Sequence, residues 1–166
     1  MHRLWTPWRL EYVTEASMLA PTGCIFCDAL AGPAADPLVV HRAAAAFVIL
    51  NKFPYNNGHL MVVPNRHVEW LADLEAPELA ELMSLTQAAE RALGRVYQPH
   101  GFNMGLNLGK PAGAGVLGHL HMHVVPRWSG DTNFISVVGE TRVLPEELPA
   151  TADRLRTAFI SASGGR

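Results

Sequence analysis

Between Gly118 and Trp128 the chain reads GHLHMHVVPRW, with histidine at every second position: His119, His121 and His123. Side chains alternate faces along a β-strand, so residues two apart line one side. The other side is Leu120, Met122 and Val124, an apolar set suited to a core. In a helix, at 100° per residue, the same histidines would spread over about 400° of arc. The segment therefore predicts a strand with imidazoles on one face and aliphatics behind them. A solvated face more usually carries Thr, Lys or Glu, so three imidazoles in register favour metal ligation or covalent and acid-base chemistry. Spacing alone does not separate those two.

Composition narrows the rest. The chain has 166 residues, 49% hydrophobic and 17% charged, enough for one domain with a real core. A net charge of −2 and a pI near 6.4 argue against a non-specific nucleic-acid or membrane-surface binder, which would show a basic stripe. Any anionic ligand must then be held by local geometry. The start, MHRLWTPWRLEY, shows no signal-peptide pattern, and no run of about 18 apolar residues occurs anywhere. The expectation is a soluble cytoplasmic protein. Both cysteines lie in GCIFC, and one C-x-x-C pair suits metal or redox chemistry better than a structural disulfide.

No repeat or low-complexity linker divides the sequence, so residues 1–166 are expected to form a single domain. Its core runs over about 24–138, with an aromatic N-terminal arm over 1–20. Strands are expected at Ala46–Asn51, His59–Pro64, Gly101–Leu108 and Phe134–Val138, with KFPYNNG as a loop. PELAELMSLTQAAERALGRVY predicts a helix from Pro77 to Tyr97, its buried stripe being Leu79, Leu82, Met83, Thr86, Ala89, Leu93 and Val96. A final helix over about 151–162, capped by Thr151, turns Leu155 and Phe159 inward. Strands with one long helix and a C-terminal helix predict α+β with an antiparallel sheet.

Three further constellations carry chemistry. The loop NLGKPAGAGVLGH, Asn107 to His119, has glycines that can turn backbone N–H groups toward an anion, or can simply make a flexible hairpin. Lys110 and Arg127 flank it as phosphate partners or as plain surface charge. Asn51 and His59, within LNKFPYNNGHLMVVP, read alone as turn and half-buried residues. Cys24 and Cys27 have zinc-ligand spacing but need two more ligands, for which His67 and a histidine of the triad are candidates. A thioredoxin-like role is disfavoured because no helix start is evident around Cys24. Idle buried cysteines are the alternative.

Together these motifs resemble the histidine triad (HIT) superfamily of nucleotide hydrolases and transferases. HLHMHVV matches its His-φ-His-φ-His-φ-φ signature. CIFC, the Asn51 to His59 spacing, VVPNRH, the long helix and the Asn-x-Gly before a glycine-rich loop follow in family order. The resemblance covers about two-thirds of the chain, Cys24 to Arg127. LWTPWRLEY and PRWSGDTNF look like the branch of bacterial diadenosine tetraphosphate phosphorylases and relatives of the fragile histidine triad proteins.

The resemblance implies an α+β HIT-like fold and a division of labour. His121 would attack the α-phosphorus and form a nucleotidyl-imidazole intermediate, and His123 would attend the phosphate and leaving-group oxygens. His59 and His119 would orient the nucleophile by hydrogen bonding. Asn51 would contact ribose or phosphate, while Asn107, Gly109, Gly113 and Gly115 would lie at the phosphates. The amides from Gly113 to Gly118 would stabilise developing charge. Zinc-containing members imply a closed structural Zn²⁺ site of Cys24, Cys27, His67 and His119, with any Mg²⁺ arriving on the substrate.

Many members carry Gln-Ser or Gln-Thr about four residues before the first histidine. Here Ala114-Gly115-Val116 leaves only backbone donors and room for phosphate rather than water as second nucleophile. The expected activity is nucleotidyl transfer from a dinucleoside polyphosphate. The alternatives are a dinucleoside polyphosphate hydrolase or phosphoramidase with the same residues, a nucleotide-binding signalling module, and a zinc-stabilised scaffold. Family members pair as homodimers, and Trp5, Trp8 and Trp128 are available for a dimer contact or base stacking.

Overall fold

The computed structural model describes residues 23–31, 36–131 and 146–163. The expected N-terminal arm, with Trp5 and Trp8, and the expected strand at 134–138 lie outside the described residues. Five antiparallel strands form one sheet in the order β1-β2-β3-β5-β4: β1 Val39–Arg42, β2 Ala46–Leu50, β3 Leu60–Pro64, β4 Gly101–Leu106 and β5 Met122–Arg127. Among the described residues three α-helices accompany it: α1 Ile25–Ala31, α2 Ala76–Tyr97 and α3 Leu148–Ser163. This is the expected α+β architecture.

β2 and β3 are buried at every position, which explains their unbroken apolar sequence: both sheet faces are covered. On one face Val48, Leu50, Leu60, Val62 and Val124 pack with Leu82, Ala89 and Leu93 of α2 and with Leu155 and Phe159 of α3. On the other, Phe47, Ile49, Met61 and Val63 pack with Phe26 and Ala29 of α1. Burying these side chains stabilises the fold by about 1.5–3 kcal/mol each for the larger ones.

α2 starts where the sequence provides a reciprocal cap. The Glu75 side chain accepts from the backbone N–H three residues on, and Glu78 accepts from the Glu75 N–H at 2.8 Å. Pro77 lies in the first turn, where its missing N–H costs nothing. The helix ends at Gln98, left-handed at φ 47°. Leu82, Thr86, Ala89 and Leu93 of the expected stripe are buried and Val96 packs against the core. The edges differ: Leu85 and Ala92 are buried, whereas Leu79 and Met83 are 40% and 50% exposed. Apolar residues ring α2 more widely than one sheet face can cover, so the edges of the stripe could be drawn in more than one place.

α3 begins at Leu148, three residues before the expected cap. Thr151 lies inside it, fully buried, its N–H donating to the Glu147 carbonyl and its hydroxyl to Glu146. Pro149 is tolerated because it sits in the first turn. The histidine segment also departs from expectation. β5 begins only at Met122, so His123 is in the ladder while His119 and His121 occupy an irregular lead-in. The Leu120 N–H is drawn aside to the Val68 carbonyl at 2.6 Å, which takes that residue out of the ladder. Among the described residues, no helix is long and apolar enough to cross a membrane.

Candidate active site and metal centre

Register places His123 opposite Met61, on the sheet face that α1 covers. His59 immediately precedes β3 and lies on the same face, fully buried. Phe26 of α1 packs its ring against His119 and His121, with centroids 5.4 and 5.1 Å away. The apolar helix thus forms the wall that dries the site.

Hydrogen bonds fix which nitrogen of each ring carries the proton. His121 Nδ1 lies 2.9 Å from the His119 carbonyl, which can only accept, so Nδ1 donates and Nε2 keeps its lone pair. Burial pushes the His121 imidazole below its ordinary pKa, only partly opposed by that bond, and so favours the neutral ring. A neutral imidazole with Nε2 unprotonated is the nucleophilic form.

A second chain of bonds gives His123 the opposite role. The Tyr55 backbone N–H, which can only donate, reaches His59 Nδ1 at 3.1 Å, and the Asn51 amide lies 3.4 Å from the same atom. His59 Nδ1 therefore accepts, and its proton sits on Nε2. That N–H donates to His123 Nδ1 at 3.0 Å, leaving His123 Nε2 as a donor. The Asn107 side-chain nitrogen is 3.5 Å from His123 Nε2, and with the amide turned over its oxygen accepts from that N–H. The His121 and His123 rings are 4.9 Å apart and nearly perpendicular, at 79°. One can supply an electron pair and the other a proton.

His59 Nε2 thus meets His123 Nδ1, and the His119 backbone carbonyl accepts from His121 Nδ1. Tyr55 was missed by sequence reasoning. Its ring lies over His59 and His123, with centroids 4.7 and 5.9 Å away, and its amide sets their tautomers. Nothing in the sequence beyond a turn-rich stretch marks it. Asn51 also serves its turn, accepting from the Phe53 N–H at 2.9 Å.

The glycine-rich loop is partly closed on itself. A 3₁₀ turn at Lys110–Ala112 commits the Gly113 N–H to the Lys110 carbonyl and the Ala114 N–H to the Gly109 carbonyl. The expected amide nest therefore excludes Gly113 and narrows to Gly115 through Gly118. Gly109 and Gly118 both sit at φ 77°, where a side chain would be strained. Arg127 is held by Asp131 at 2.6 and 2.8 Å and donates to Asn103 Oδ1 at 2.6 Å. Trp128 follows β5 at the end remote from His123, about 16 Å along the strand at roughly 3.3 Å per residue. Within one chain the strand does not bring it to the triad.

The four expected metal ligands do converge. Ligand atoms of Cys24, Cys27, His67 and His119 all lie within 4.8 Å of one another. Cys24 Sγ is 3.1 Å from His119 Nδ1, and Cys27 Sγ is 3.4 Å from His67 Nδ1 and 3.6 Å from His119 Nδ1. His119 Nε2 donates to the Pro64 carbonyl at 2.9 Å, which leaves Nδ1 with its lone pair toward the cysteines. A tetrahedral ion with ordinary bond lengths would hold S and N ligands about 3.6 Å apart, so the set fits a closed four-ligand site. A helix does start at Cys24, contrary to expectation, since α1 begins at Ile25 and places Cys27 in its first turn. Burial, followed by the neighbouring Cys24, pushes the Cys27 thiol up, which works against a reactive redox thiolate.

Comparison with known proteins agrees with this geometry. Residues 34–130 match the HIT domain family. A Mycobacterium tuberculosis protein named AP-4-A phosphorylase is 45% identical over 170 residues, covering 96% of this chain and 85% of that one. The asymmetrical bis(5'-nucleosyl)-tetraphosphatase of Schizosaccharomyces pombe is 31% identical over 125 residues, covering 75% of this chain and 65% of that one. A Zn-bound histidine triad family protein from Mycobacterium smegmatis superposes with a TM-score of 0.71 at 27% identity, covering 87% of this chain and 98% of that one. On the match over residues 34–130 and this set of relatives, the chain belongs to the HIT family.

Proposed function

We propose that the protein transfers a nucleotidyl group from a dinucleoside polyphosphate to inorganic phosphate through a covalent intermediate on His121. The observation that carries this reading is the pairing of an unprotonated His121 Nε2 with a protonated His123 Nε2 on adjacent rings. In the first step the His121 Nε2–Pα bond forms and the Pα–O bond to the leaving nucleotide breaks. The leaving oxygen takes its proton from His123 Nε2. In the second step an oxygen of hydrogen phosphate attacks the same phosphorus, its proton returns to His123 Nε2, and the His121 Nε2–P bond breaks to free His121.

Asn107, Gly109 and the amides of Gly115 to Gly118 hold the phosphates in this reading, and Asn51 contacts the ribose. The ion held by Cys24, Cys27, His67 and His119 is zinc, and it supplies rigidity rather than a reaction step. Any Mg²⁺ comes with the polyphosphate. Phosphate is favoured over water by the small residues at Ala114-Gly115 and by the 45% identity to a phosphorylase over nearly the whole chain. Hydrolysis is the second reading, favoured by the likeness to a tetraphosphatase. In this reading the reaction takes place in the cytoplasm. The protein is read as a homodimer, for which exposed Leu79 and Met83 and the edge strand β4 are available.

Incubation with diadenosine tetraphosphate, with and without phosphate, tests the proposal. It predicts ADP only with phosphate present, and without phosphate no more ATP than one equivalent per site. AMP and ATP appearing at the same rate without phosphate would replace it with the hydrolase. No turnover under either condition would remove both.

A further inference from the structure

The tautomer of His123 depends on the Tyr55 N–H meeting His59 Nδ1, and both atoms belong to the loop between β2 and β3. That loop is held from outside by Asn56. Both protons of its side-chain amide are spent on the far end of β5, on the Pro126 carbonyl at 3.0 Å and on Asp131 Oδ2 at 2.8 Å. Its own carbonyl accepts from the His59 N–H at 3.1 Å. Asp131 is in turn fixed by a two-pronged Arg127 contact and by the Trp128 N–H at 3.1 Å. On the opposite flank the next residue, Asn57, bonds to Glu146, which also takes the Tyr97 and Thr151 hydroxyls and the Arg154 guanidinium. Gly58 completes the path at φ 77°, where an added Cβ would lie 2.9 Å from Leu93.

We infer that Asn56 and Asp131 are positioning residues for the site: they fix the loop so that the Tyr55 amide sets the His59 and His123 tautomers. This rests on the proposed role of His123 only for its effect on rate. The tautomers themselves can be read without substrate.

The test is long-range ¹H–¹⁵N NMR of the imidazoles in the full-length protein, paired with steady-state kinetics on diadenosine tetraphosphate and phosphate. In the wild type, His59 and His123 are each expected with the proton on Nε2. In Asn56→Ala the Tyr55 amide proton moves upfield and a second tautomer of His59 and His123 appears. The same variant lowers kcat by about tenfold or more while KM stays within about twofold. Asp131→Asn, which keeps the shape and removes the charge, gives the same changes to a smaller degree and decides the matter if Asn56→Ala does not fold. Arg156→Ala removes the α3 contacts to Val39 and Pro37 at the opposite sheet edge and leaves the imidazole signals in place. Unchanged His59 and His123 signals in a folded Asn56→Ala or Asp131→Asn overturn the inference. So does an equal change in Arg156→Ala. A wild type without turnover but with the tautomer change in Asn56→Ala sinks the functional reading and leaves this one standing.

Discussion

His121 and His123 are the same side chain two residues apart, and their chemistry is separated by what their Nδ1 atoms meet. A carbonyl at 2.9 Å leaves one ring with a lone pair at Nε2, and the Nε2–H of neutral His59 at 3.0 Å leaves the other with a proton there. The two substitutions should therefore fail differently. His121→Asn should lose turnover by on the order of 10³-fold or more on every substrate, since no group replaces the nucleophile. His123→Asn should cost about 10²–10⁴-fold on dinucleoside polyphosphates, but far less on a nucleotide ester whose leaving group needs no proton. Rates on the two substrate types check both. Equal losses on both substrates for His123→Asn would deny it the proton. The triad was legible in the sequence because residue identity carries it. The tautomers were not, because they depend on the backbone amide of Tyr55 and the carbonyl of His119, which no side-chain pattern records.

At the scale of elements, α2 carries a cap whose contribution is set by pH. Arg66 lies 2.6 Å from Glu78 and, with the Glu75 N–H, holds the Glu78 carboxyl down at about 2 from an ordinary 4.5. A depressed carboxylate stabilises the folded chain above its unfolded pKa, and that stabilisation is lost as pH falls toward the folded value. Urea midpoints of wild type and Glu78→Gln should thus differ by a constant amount above about pH 4.5 and converge as pH drops below it. The pair is solvent-exposed on the Arg66 side, so the difference should be small and reduced by salt. A gap that widened in acid would reverse the assignment. The helix itself and strands β2 to β4 were legible from periodicity and turn residues. The edges of the α2 stripe were not, since Leu79 and Met83 are as apolar as the Leu85 and Ala92 that are buried in their place. The start of β5 was missed because the Val68 carbonyl that captures Leu120 lies 52 positions away in sequence.

At the scale of the molecule, the candidate metal cluster and the proposed reaction site share His119. Its ring faces Cys24 and Cys27, and its carbonyl holds His121. Ligand spacing made the cysteines legible as half a site with His67 and a triad histidine as candidate partners; family resemblance singled out His119, and the four ligand atoms converge in space. An ion bound at 1,000 times its Kd adds about 4 kcal/mol to stability, and each kcal/mol moves Tm by about 2–4 °C at this size. Chelation should thus lower Tm by about 8 °C or more, and a Cys24→Ser variant should show no further drop. A chelator without effect on a metal-loaded wild type would remove the structural role. The central claim, that phosphorus passes through His121, is tested most directly by trapping. The protein is mixed with diadenosine tetraphosphate without phosphate, quenched in alkali, in which phosphoramidates persist, and digested for mass spectrometry. The account predicts an adenylyl group on the peptide containing His121 in the wild type and none in His121→Asn. Turnover with no adduct, or an adduct on any other residue, would contradict it.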